Sequence, residues 1–366
     1  MVGLGAAIGL LLPAALQAQI TITAQDMFNQ PGQYYRAYAN AGSSVSVDGK
    51  IGNAGAGQFW DFTTGPTSVI YRFDYVAASS TPYGADFVTA GSQMAERKTD
   101  ESSAQDPAWL YFTQNPAQGR LAYGFYDPGF SAGVGSAEPQ VLFNPVMNDF
   151  PNTIQYGTAW SAATTFTNTI TFGDPEDPET SFTVVMRYEY AATAVVDAHG
   201  VANSPGTISF GDCLRVNELV RYDISADFGD GEGFQHLETD FVRNYYWLRQ
   251  GRGIIAQITS QQSSGVPPAD NFATASSIVR MFQTNHPDNS GGGGGIQGLR
   301  ITVNQSGALL NWTPLASLSS YRVEYRTNLV TGTWQQVGTT TGSFLIDYAA
   351  NKPATPLRFY RVVGMP

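Results

Sequence analysis

The sequence predicts an all-β protein in two parts, a large β-sandwich-like N-terminal domain and a small C-terminal sandwich. Three observations carry that expectation. Charged residues make up only 13% of the chain while Gly (39), Phe (21) and Tyr (19) are abundant, a mix suited to strands joined by tight turns. Apolar and polar residues alternate with a period of two in several long stretches. Five consecutive glycines, Gly291–Gly295, interrupt the chain once and divide it.

The first residues, MVGLGAAIGLLLPAALQAQ, form an apolar run closed by small residues at Leu16-Gln17-Ala18, the pattern of a cleaved secretory leader. The segments expected are therefore a signal peptide at 1–18, a β-rich secreted domain at 19–284, a Gly-rich linker at 285–297 and a second domain at 298–366. The leader run is shorter than the roughly 20 apolar residues that cross a bilayer, and no later stretch is longer, so no membrane span is expected. A single cysteine, Cys213, excludes an intramolecular disulfide, which suits a bacterial exported protein. With 30 acidic against 19 basic residues the net charge of −11 opposes nucleic acid as a partner.

Within the large domain, Ser181–Tyr190 places Phe182, Val184, Met186, Tyr188 and Tyr190 on one face of a strand. Cys213–Ile224 does the same with Leu214, Val216, Val220, Tyr222 and Ile224, a face interrupted only by Glu218. Phe241–Leu248 is a third strand, and Phe272–Phe282 alone is left open between helix and strand. Turn clusters such as NQPGQ, GDPEDPE and GDGEG separate these runs. Beyond the glycines, LRITV, GALLNWTP, YRVEYRTN, TWQQVG, SFLIDYA and LRFYRVVG are six further strands.

The order GALLNWTP, YRVEYRTN, TWQQV, SFLIDYA, FYRVV resembles a fibronectin type III module of immunoglobulin-like architecture. The resemblance implies that Trp312 is the core tryptophan and Tyr360 the tyrosine of the sixth strand. IGNAGAGQFWDFTT, TIQYGTAW, GTISFGDCLRVNELVRYD and NYYWLRQGRGIIAQI are similar, in that order, to a β-rich region of uncharacterised secreted bacterial proteins often associated with type IX secretion. That likeness brings no catalytic residues with it.

Local motifs for chemistry are few. Three histidines, His199, His236 and His286, have no ligand-like spacing, and no G-x-S-x-G is present. Asp227, Asp230 and Glu232 lie in a glycine-rich acidic turn, YDISADFGDGEGF, that could curl oxygen ligands around Ca2+. Tyr245 and Trp247 share a strand face that could stack on sugar rings, against the plainer reading of core aromatics. Glu218 is a candidate buried acid, with an outward turn at a bulge or a structural pair with Arg243 as the plainer alternatives.

Two functions follow as expectations. One is a non-catalytic secreted or cell-surface protein with a binding, adhesion or assembly role, its partners a polysaccharide or cell-surface component, or another copy through strand pairing at the 359–363 edge, unless the chain's own segment around Gly298–Val303 covers that edge. The other is a secreted glycan-acting hydrolase with an accessory C-terminal binding module, which requires two carboxylates within about 5–10 Å in one cleft.

Overall fold

The computed structural model describes residues 20–24, 26–130, 136–173, 182–206, 211–286, 299–304, 307–312, 320–328, 333–350 and 358–365. The all-β expectation holds: the regular structure of the described residues is strand, apart from a single α-helix, α1 (Gly84–Ala90), and one 3-10 turn at Ala78–Ser80. The stretch left open at 272–282 is strand from Thr274 onward.

Twelve strands build the large domain. They are β1 (Tyr34–Ala39), β2 (Val69–Ala77), β3 (Met94–Asp100), β4 (Ala108–Asn115), β5 (Gly119–Tyr126), β6 (Gln140–Phe150), β7 (Ala159–Phe172), β8 (Phe182–Asn203), β9 (Gly211–Asp227), β10 (Gln235–Arg249), β11 (Gly253–Ser260) and β12 (Thr274–Thr284). Each pairs antiparallel with its neighbour in sequence, and β12 pairs antiparallel with β1, with Val279 opposite Ala39 and Thr284 opposite Tyr35. The sheet is therefore a closed up-and-down barrel, where the alternation alone suggested two packed layers. The two architectures share the same period-two signal, because each asks a strand for one buried face; closure adds that no long edge is left unpaired.

Ladder lengths differ around the ring. Strands β8 and β9 run in register from Val185–Asp227 to Ala202–Gly211 with one shift, whereas β6 and β7 share the single register pair Asn144–Thr165. Pro145, which follows a cis peptide bond, has no N–H to give to that ladder.

One end of the barrel is filled by the segment before β1. Its short strand Ile22–Thr23 pairs with Thr153–Ile154, and Ile22 and Met27 pack with Phe150, Ile154, Leu214 and Leu248. Buried Asp26 pins this plug, accepting hydrogen bonds from the Thr23 N–H and the Gly251 N–H, each at 2.8 Å. At the other end, rings of Phe125, Phe130, Phe143, Phe166 and Tyr188 pack against one another, Phe166 stacking on Tyr188 at 4.9 Å.

Outside the wall, two elements cover apolar patches. Helix α1 sets Phe87 flat on Tyr111 at 3.7 Å. The segment holding Val47, Ile51, Trp60 and Phe62 covers Tyr245 and Trp247, and its strand Gly55–Asp61 runs parallel to the end of β8. Gly200 permits this approach, since a Cβ there would lie 2.0 Å from the Gln58 carbonyl oxygen. The rest of the outer wall carries ion pairs, among them Arg72–Asp74–Arg97, Arg187–Glu189 and Arg221–Asp223.

Asn285 and His286, expected to begin the linker, belong to the barrel. Asn285 bonds to the backbone of Gly32 and Tyr34, and the His286 imidazole Nε2 lies 3.2 Å from the Met27 carbonyl oxygen. Gly291–Gly295 lie outside the described residues.

The C-terminal domain is a two-layer sandwich. One sheet holds β13 (Arg300–Asn304), β14 (Gly307–Asn311) and β17 (Phe344–Asp347), the other β16 (Gln335–Thr340), β15 (Ser320–Arg326) and β18 (Phe359–Met365). Leu310, Trp312, Tyr321 and Val323 form its core, with Tyr360 packed against them. The Tyr360 hydroxyl donates to Asp347, which Arg358 also holds. Among the described residues β18 pairs only with β15, so its other side is a sheet edge, and 300–304 pairs with β14 instead of covering it.

Candidate ligand cavity in the barrel

The inward face of β9 is the one that alternation picks out, with Leu214 and Val216 toward the plug and Val220 and Tyr222 beyond. Glu218 sits between them, 7% exposed, and looks into a cavity of about 280 Å³. Register places Asn244 of β10 opposite Glu218. Its side-chain amide donates to Glu218 Oε2 at 2.9 Å, and the Tyr246 hydroxyl, two residues along the same inward face, donates to that oxygen at 2.8 Å. Burial pushes the Glu218 carboxyl above the ordinary carboxylate range, against those two hydrogen bonds and the pull of Arg120.

The opposite wall supplies the other charges. Arg120 on β5 grips Asp149 on β6 through two nitrogens, Nε to Oδ1 at 3.1 Å and the terminal nitrogen to Oδ2 at 2.6 Å, the bidentate geometry that makes such pairs strong. Burial works against the guanidinium charge, but Asp149 overrides it, so the pKa of Arg120 is raised and its charge is secure. The same guanidinium lies over the rings of Phe112 at 5.5 Å and Phe150 at 5.0 Å. Glu96 on β3 accepts a hydrogen bond from the Tyr75 hydroxyl of β2 at 2.5 Å.

Phenols complete the lining. Tyr35, Tyr75, Tyr190 and Tyr246 all face the cavity, and each has its pKa raised, first by burial and then by a neighbouring carboxylate, Glu96 for the first two and Glu218 for the last two. They stay neutral donors. The site thus contains three carboxylates, one guanidinium and several ring faces, contributed by strands from β1 to β11.

Glu218 apart, the residues singled out in sequence lie elsewhere. Tyr245 and Trp247 face outward but are 1% and 0% exposed; Trp247 lies edge-on to Phe62 at 4.8 Å and the Tyr245 hydroxyl donates to the Asp270 carbonyl oxygen. No ring face is open to a sugar, so both are core aromatics under the covering segment. Asp227, Asp230 and Glu232 form the β9–β10 hairpin turn. Asp227 and Asp230 accept backbone N–H bonds from Gly229 and Glu232, each at 2.9 Å, and among the described residues no three acidic, His or Cys side chains converge. Arg243 does not reach Glu218; it lies on the outer face with Asp270 and Asn217. Cys213 is a buried core residue whose thiol is pushed up, first by burial.

Sequence reasoning singled out Glu218, placed Tyr190 on an inward strand face without giving it a role, and missed Glu96, Arg120, Asp149 and Tyr246. Tyr246 was legible, since it shares the parity of Asn244 and opposes that of Tyr245. The other three gain meaning only from ring closure.

Comparison of the chain with protein-family models, with characterised proteins and with solved structures gives no match.

Proposed function

We propose that this is an exported, non-catalytic bacterial binding protein that holds a small polar ligand inside its barrel, while the C-terminal fibronectin type III-like module attaches it to a surface or partner. The observation that carries the reading is the cavity of about 280 Å³ with charged groups at its centre, near the lower end of the volumes typical of ligand pockets. Interiors without a task are filled with apolar side chains, because buried charge is costly. The apolar leader, the single cysteine and the ion pairs on the outer wall support export into water; a wall facing lipid would carry an apolar band.

The alternative, a secreted glycan-acting hydrolase, draws on Glu96, Asp149 and Glu218 lining one cavity. Against it, Asp149 is held by Arg120 and the plug closes the end through which a polymer would thread. Native mass spectrometry of the exported chain, with a thermal-shift screen of small metabolites, tests the choice. A retained small molecule or a ligand-dependent rise in Tm of several degrees supports holding. Release of reducing sugar from glycans, abolished by Glu218→Gln, overturns it.

A further inference from the structure

We propose that the barrel cavity takes a small organic cation, a quaternary ammonium or protonated amine, seated between the carboxylates of Glu96 and Glu218 and against the rings of Tyr75, Tyr190 and Tyr246. This deepens the binding-protein reading and rests on it.

Charge balance is the first argument. Glu96, Asp149 and Glu218 line the cavity with only one cation, Arg120, which Asp149 already engages. Glu96 is met by a phenol and Glu218 by a phenol and an amide, neither of which carries charge. Both hydrogen bonds to Glu218 end on Oε2, so among the described residues its Oε1 receives none, although the side chain is buried and borders the cavity. A neutral polyol would leave Glu96 without a counter-charge and Glu218 held protonated by burial, and an anion would add a further negative group, whereas a cation answers both Glu96 and the ionised form of Glu218.

The walls are the second argument. A cation is stabilised over an aromatic face within about 6 Å of the ring centre, more so when water is excluded. This interior already treats one cation that way, since the Arg120 guanidinium lies over Phe112 and Phe150. Tyr75, Tyr190 and Tyr246 line the same space, Tyr75 with one ring face already stacked on Phe28.

A pH signature follows. The groups facing Glu218 are Asp149 and Arg120 across the cavity, Tyr190 and Tyr222 beside it, and Asn244 and Tyr246 on β10. Burial keeps Glu218 protonated above the ordinary carboxylate range, whereas a bound cation favours its ionised form. Binding therefore releases a proton and tightens as pH rises toward the raised pKa.

The test is isothermal titration of the exported chain with choline and tetramethylammonium, which do not titrate, alongside myo-inositol and acetate as neutral and anionic probes. Expected are binding of the ammonium ions alone, affinity that rises from pH 5 to pH 8, and about a tenfold or greater loss in Glu218→Gln and in Glu96→Gln. The pH profile of the unmodified protein keeps the test independent of whether the variants fold. Binding of inositol or acetate without the ammonium ions overturns the cation and leaves a binding protein. No binding by any probe, with no small molecule retained in native mass spectra, overturns both.

Discussion

Replacing Arg120 with methionine keeps the apolar stem of the side chain, removes the guanidinium and strands Asp149. In the native barrel that carboxylate receives Nε and terminal N–H bonds from Arg120, and its side chain is only 14% exposed. Breaking one side of a buried pair costs about 3–5 kcal/mol. The cheapest escape is for the stranded carboxyl to bind a proton. For a group of ordinary pKa about 3.9 that costs about 4 kcal/mol at pH 7 and about 1.5 kcal/mol at pH 5. Arg120→Met should therefore lose about 4 kcal/mol at pH 7, and the deficit should shrink to less than half as the pH falls to 5. The double variant Arg120→Met/Asp149→Leu removes the stranded charge and should return to within about 1 kcal/mol of the native chain. Urea denaturation read by pulsed hydrogen exchange in peptides covering 119–126 and 141–150 reports on the barrel alone. Equal losses in the single and double variants, or a single-variant deficit independent of pH, would refute the claim that Arg120 acts by neutralising Asp149.

Glu218→Gln should remove a pH dependence. The folded pKa is raised by burial, so from about pH 4.3 upward the unfolded chain has released a proton that the folded chain keeps, and native stability falls as pH rises through that window; urea midpoints at pH 4 and pH 7 should converge in the variant, and persistence of the fall would assign it to another group. Trp247→Ala should cost about 3–5 kcal/mol, because Trp60 and Phe62 lose a fully buried partner, and a loss under 1 kcal/mol by the same denaturation would mean that the covering segment contributes little. Gly200→Ala should push the Gly55–Asp61 strand off β8 by the clash with the Gln58 carbonyl, visible as fast amide exchange at 58–61 while β8–β9 peptides keep their protection.

The fold was legible wherever one strand carries its own pattern. Phe182–Tyr190 and Cys213–Ile224 each show their inward faces in sequence, and with them Tyr190 and Glu218. Closure was not legible, because a sandwich and a barrel ask the same alternation of each strand. The site is harder still, since Glu96, Arg120, Asp149 and Glu218 stand on four strands and meet only through the register of the intervening ladders. Arg243 shows the limit of proximity along the chain: it neighbours Asn244, the partner of Glu218, yet the pleat turns it to the opposite side of the wall. Tyr245 and Trp247 looked available because nothing local announces that residues 47–62, nearly two hundred positions earlier, cover them.

Every seam of the ring except one is stitched by five or more register pairs. The exception, between β6 and β7, has a single pair beside a proline. Local stability follows the bonds that must break, and this seam, tied otherwise by Trp160 to the Asp149 carbonyl and by Thr164 to the Pro145 carbonyl, has the shortest ladder of the ring. β6 also carries Phe143, Met147 and Asp149 into the cavity. An opening at that seam would reach the interior from the side, but β6 also presses Phe150 against the plug and leads into the plug's partner strand Thr153–Ile154, so the wall and the plug would have to move together.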